Sequence, residues 1–110
     1  MKTVEENGKL YFISESGRRY GVNARVEYTA WLDFPVLNMD GETGESTDYV
    51  SQDDIEPSGY VEYWLYEEVP INEDGLQGFR QEWLYEPSEF LTMEWAEKQI
   101  EKYEKGENNA

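Results

Sequence analysis

Over residues 20–34 apolar and polar positions alternate without a break. Tyr20, Val22, Ala24, Val26, Tyr28, Ala30, Leu32 and Phe34 fall on one side of an extended chain. Arg19, Gly21, Asn23, Arg25, Glu27, Thr29, Trp31 and Asp33 fall on the other. A period of two marks β structure with one buried face. A single strand of that length is uncommon, so the pattern predicts a bend or bulge between Gly21 and Asn23. A second alternation covers residues 60–69. There Val61, Tyr63, Leu65 and Val69 share a side that only Glu67 interrupts, and Tyr60, Glu62, Trp64, Tyr66 and Glu68 share the opposite one. Shorter segments at 9–13 and 79–85 predict two more strands. The turn signals Asn7-Gly8 and Glu15-Ser16-Gly17 flank the first of them.

After Pro87 the spacing changes. Met93, Ala96, Ile100 and Tyr103 recur at helical intervals, which predicts a C-terminal helix with one side laid on the sheet. Ser88 is placed to cap it and Glu89 to sit in its first turn. Lys98, Lys102 and Lys105 favour its far end, Gly106 is the predicted stop, and residues 107–110 are expected to fray. Residues 38–59 are rich in Asp, Glu, Gly, Ser and Thr and read as a long acidic loop, with room for a short element at 50–55. There is no internal repeat. The fold class that follows is α+β: an antiparallel β-sheet of four to five strands packed against one C-terminal α-helix, in a single domain spanning residues 1–110.

Composition narrows the chemistry. Cysteine and histidine are both absent. Disulfides, Cys/His zinc sites, thiolate nucleophiles and imidazole bases are therefore excluded. Residues 1–7 lead into no apolar segment long enough for a signal peptide or a membrane span, so the expected location is cytoplasmic.

Charge changes the picture most. Twenty-five acidic and nine basic residues give a formal net charge of −16. Such a balance often signals disorder, but nine Tyr, four Trp and four Phe supply the apolar area of a folded core. The chain thus folds against its own repulsion. The charge is also segregated: between Val26 and Phe79 there are fourteen acidic residues and no Lys or Arg.

Two sets of residues emerge as candidate partner-binding sites. One is the side formed by Tyr60, Glu62, Trp64, Tyr66 and Glu68, where large aromatics stand between carboxylates. Tyr and Trp are enriched at binding hot spots, and Trp31 extends the set. The competing reading is that the helix covers this side and the aromatics are core. The other candidate is the acidic stretch Asp40, Glu42, Glu45, Asp48, Asp53, Asp54 and Glu56, a phosphate-like array; the competing reading is a solvated surface kept for solubility. Calcium ligation by Asp40–Glu45 or Asp53–Glu56 does not meet the EF-hand spacing, since Gly44 falls where a ligand belongs. Among so many acids no pair is marked as a glycosidase dyad, and no histidine is present to activate a serine. Neither an enzyme, a metal site nor a cofactor is expected.

The expectation is therefore a small acidic inhibitor that mimics nucleic acid and occupies the basic groove of a nuclease or other nucleic-acid-binding protein, such as a defence effector. Direct binding of nucleic acid or membrane is not expected, since the only basic cluster is Arg18, Arg19 and Arg25. In size and charge alone the chain resembles phage-encoded anti-restriction and anti-CRISPR inhibitors, and equally the immunity proteins that neutralise nuclease toxins. No family motif is matched, so the resemblance assigns no residues. The alternative is an acidic scaffold or an aromatic-lined module for a peptide or carbohydrate.

Overall fold

A computed structural model describes residues 1–27, 30–37, 39, 60–73, 75–84 and 86–108. Six strands and one helix follow in order: β1 (Lys2–Glu6), β2 (Lys9–Ile13), β3 (Arg19–Glu27), β4 (Trp31–Pro35), β5 (Val61–Glu73), β6 (Leu76–Trp83) and α1 (Met93–Asn108). All strand pairings are antiparallel, in the order β1-β2-β3-β5-β6, with β4 also on β3. The α+β architecture is the expected one, and the sheet has one strand more than the sequence predicts. Of the acidic loop expected at 38–59, only residue 39 is described, and the short element at 50–55 lies outside the described residues.

The long alternating segment is two strands rather than one bent strand. The chain reverses between Glu27 and Trp31, so that Val26 faces Leu32 and Ala24 faces Phe34. β2 and β4 then share one edge of β3, pairing with residues 19–21 and 23–27 respectively. Val36 ties them together: its carbonyl accepts the Leu10 N–H at 2.8 Å and its N–H donates to the Val22 carbonyl at 3.3 Å. No bulge interrupts Gly21–Asn23 on the β5 side, where the stretch lies in continuous register.

One side of the sheet carries the core. Leu10 and Phe12 of β2, Tyr20, Val22, Ala24 and Val26 of β3, and Tyr63 and Leu65 of β5 are buried there against Leu91, Ala96 and Ile100. Each such large apolar side chain contributes about 1.5–3 kcal/mol when fully withdrawn from water. Met93 and Tyr103 of α1 pack against the same cluster, as their spacing predicts. Glu67 interrupts the apolar side of β5 because it is a buried ion-pair partner. Its carboxylate accepts two hydrogen bonds from Arg18, each 2.6 Å. Arg18 lies 5.6 Å from the Tyr103 ring, and Glu104 of the same helix accepts from the hydroxyls of Ser14 and Ser16. The Tyr103 hydroxyl donates to Glu82 of β6 at 2.8 Å, which lowers the Glu82 pKa together with Arg80. The last turns of the helix are thus fastened to β6 and to the β2–β3 turn.

Both ends of the helix differ from expectation. Its N-terminal cap is Thr92, whose Oγ1 accepts the Trp95 N–H at 3.1 Å, and Glu94 is the acidic residue of the first turn. Ser88 and Glu89 precede the helix. Ser88 is held by the sheet, its N–H and carbonyl both bonded to Tyr63, and its hydroxyl oxygen takes the Phe90 N–H. The helix therefore begins four residues later than a Ser88 cap would set it. At the other end the helix runs through Gly106 to Asn108 rather than stopping at the glycine.

Candidate functional site

The side of the sheet opposite α1 is built from the alternate positions of every strand. At its centre Gly21 pairs with Tyr11 on one flank and Tyr66 on the other. The Tyr66 ring folds over Gly21 so closely that no side chain fits beneath it: a Cβ there would lie 2.2 Å from the ring. Trp83 meets Tyr66 at 5.3 Å and Trp64 at 6.4 Å between centroids, both in edge-on geometry. Arg19 stacks 3.8 Å above the Tyr11 ring and reaches Glu6 at 2.8 Å and Glu68 at 3.9 Å. Burial first, then the neighbouring Tyr11 and Glu68, push the Tyr66 hydroxyl up to about 12. This centre is a second, aromatic core.

Around it the face opens. Trp31, Tyr60 and Trp83 are 40%, 38% and 47% exposed. Trp31 and Tyr60 meet edge-on at 5.8 Å, and Arg25 lies 5.3 Å from the Trp31 ring and 4.0 Å from Asp33. The Trp64 indole N–H donates to Glu62 at 3.2 Å. The Tyr60 hydroxyl donates to Glu89 at 2.9 Å, a bond that raises its pKa. An open groove of about 290 Å³ runs between Asn23, Arg25, Asp33, Trp64 and Trp83.

Of the residues expected here, Tyr60, Glu62, Trp64 and Glu68 do lie on the face away from the helix. Tyr66 lies there too, but at 2% exposure it is a packing residue with no surface to offer. Asp40, Glu42, Glu45, Asp48, Asp53, Asp54 and Glu56 lie outside the described residues. Sequence reasoning missed Asn23, Asp33 and Trp83. The first two sit on the polar side of the alternation already read, and Trp83 joins them only because β6 places it opposite Tyr66.

A second concavity, of about 520 Å³, separates α1 from the β2–β3 turn. Glu15, Glu97, Glu101 and Glu104 line it, with Ile100 and Met1 as apolar neighbours. Arg18, Arg19, Arg25, Arg80, Lys98 and Lys105 each stand within 4.0 Å of a carboxylate. The expected basic cluster is divided, since Arg18 turns to the helix side and Arg19 and Arg25 to the other. Among the described residues no group of three or more acidic side chains is arranged to hold a metal ion, and no helix is long and apolar enough to cross a membrane. Compared with known proteins, the chain matches no family model, no curated protein and no solved structure.

Proposed function

We propose that this protein is a small acidic inhibitor that works as a nucleic-acid mimic in the cytoplasm, occupying the basic groove of a nuclease or other nucleic-acid-binding protein. It binds rather than catalyses. The observation that carries the reading is the disposition of charge: Arg18, Arg19, Arg25, Arg80, Lys98 and Lys105 are engaged by the molecule's own carboxylates, while the total remains −16. The surplus is negative. The Glu15–Glu97–Glu101–Glu104 groove is one place where a lysine or arginine of the partner fits, its stem against Ile100 and its head among carboxylates. Opposite charges accelerate encounter, although each exposed pair adds only about 0–1 kcal/mol. Tight binding then needs many pairs plus aromatic anchors.

The test is capture on the immobilised protein at low salt, followed by elution in a salt gradient and competition with duplex DNA and RNA. Mimicry predicts basic nucleic-acid-binding partners that nucleic acid displaces. Reversing Asp40, Glu42, Glu45 and Asp48 together to Lys should abolish that capture while circular dichroism stays unchanged. Partners that resist both salt and nucleic acid would refute mimicry. The groove between Trp64 and Trp83 favours a second reading, an aromatic site for an uncharged peptide or carbohydrate. Its binding should hardly respond to salt.

A further inference from the structure

The outer edge of β6 matches itself when read in reverse. The Leu84 N–H bonds to the Leu65 carbonyl at 2.9 Å, continuing the register in which Trp83 faces Tyr66 and Phe79 faces Pro70. In an antiparallel ladder the backbone groups of successive residues point to opposite edges. Even-numbered residues of β6 therefore turn their N–H and C=O toward β5, and Phe79, Gln81 and Trp83 turn theirs outward. No described residue bonds to that edge. Phe79 and Trp83 are 60% and 47% exposed on the side away from the helix, and Arg80 and Glu82 lie on the helix side. Exposed edges are usually blunted by charge, proline or a bulge. β1 has Lys2, Glu5 and Glu6 on its five residues, whereas the only charges on residues 79–83 are an opposite pair.

We propose that β6 is the contact of a symmetric dimer, pairing antiparallel with β6 of a second copy about a two-fold axis at Gln81. In that register Phe79 lies opposite Trp83 of the second copy and Trp83 opposite its Phe79. Both are cross-strand aromatic pairs of the kind that stabilises sheets. Arg80 lies opposite Glu82 of the second copy, and the reverse pair follows by symmetry, as an isologous interface requires. Shifting the axis by one residue places Arg80 against Arg80 or Glu82 against Glu82, and like charges directly opposite are unfavourable. The complementarity of Arg80 and Glu82 thus selects both the occupant and the register.

Two copies of charge −16 repel, and salt screens that repulsion. The Debye length falls from about 30 Å at 0.01 M to about 8 Å at 0.15 M. Self-association should therefore strengthen as salt rises, opposite in sign to the binding of a basic partner. The inference stands apart from the mimicry reading, and either can fail alone. Sedimentation equilibrium of the purified full chain should give a dimer mass at physiological salt and a shift toward monomer at low salt. Gln81→Pro removes an N–H that bonds to no described residue of the single copy, a substitution edge strands accept, and should abolish the dimer. Arg80→Glu alone should weaken it on the order of tenfold, since it sets two like-charge pairs across the axis. Arg80→Glu with Glu82→Arg should restore it, and this arm remains decisive should Gln81→Pro fail to fold. A monomer at every salt concentration, or a dimer indifferent to the charge swap, overturns the proposal.

Discussion

The Tyr66 ring covers Gly21 on the neighbouring strand so tightly that an added Cβ would fall 2.2 Å from both the ring and its hydroxyl. Tyr66 is 2% exposed as a result, although it sits on the face that no described element covers. Gly21→Ala must push the ring aside and should cost about 1–3 kcal/mol, the usual range for overpacking. Urea denaturation followed by tryptophan fluorescence checks this, because Trp83 lies 5.3 Å from the displaced ring. Unchanged stability would mean that the ring does not rest on Gly21.

Arg18 and Glu67 make a second testable contact. Glu67 is 6% exposed and has Arg18 as its ion-pair partner. Removing only the cation in Arg18→Met strands a buried carboxylate and should destabilise the fold by about 3 kcal/mol. Adding Glu67→Leu removes the stranded charge, and the double variant should recover most of that loss. The contrast between single and double variants in chemical denaturation separates ion pairing from simple packing loss, for which the two costs would add.

These contacts also show where sequence reading stops. Alternation identified the core side of β3, β4 and β5 because burial on one face imposes a period of two. It concealed the reversal after Glu27 for the same reason. β3 and β4 pair even residues with even, Val26 with Leu32 and Ala24 with Phe34, so the pattern passes through the turn intact. β1 escaped notice because its only strongly apolar residue is Val4; backbone pairing with β2, rather than burial, makes it a strand. Ser88 has the right chemistry for a cap, but a bridge to Tyr63, distant in sequence, holds it in the sheet. The aromatic face was legible as a set of residues. Which of its aromatics are accessible depended on the missing side chain at Gly21.

Alkaline pH should act on Tyr66 and Tyr20 among the buried tyrosines. The Tyr66 hydroxyl is raised from its ordinary value of 10 to about 12, and burial raises Tyr20 as well. For each, the folded state holds its proton longer than the unfolded state. The stabilisation is fully present below pH 10 and is lost as pH rises through the folded value. Tyr66 alone should remove about 1.4 kcal/mol per pH unit across that window. Tyrosinate absorbance against pH should show late-titrating tyrosines whose ionisation coincides with loss of the circular dichroism signal. Tyr66→Phe should flatten the decline. Complete tyrosine ionisation before any unfolding would contradict the burial of these hydroxyls.

Trp64 and Tyr66 alternate on one side of β5 yet should behave oppositely when truncated. Tyr66→Ala empties the space above Gly21 and should cost about 3–5 kcal/mol, as aromatic truncations in cores do. Trp64 is only half-buried at the wall of the groove, and its indole N–H is satisfied by Glu62. Trp64→Ala should therefore cost less stability while weakening any partner that seats on this face. Trp64 is an anchor if affinity for a captured partner falls at low and high salt alike, because lost aromatic contact is not screened. If affinity is untouched while the Asp40/Glu42/Glu45/Asp48 reversal still abolishes binding, recognition belongs to the acidic stretch and the aromatic face plays no part in it.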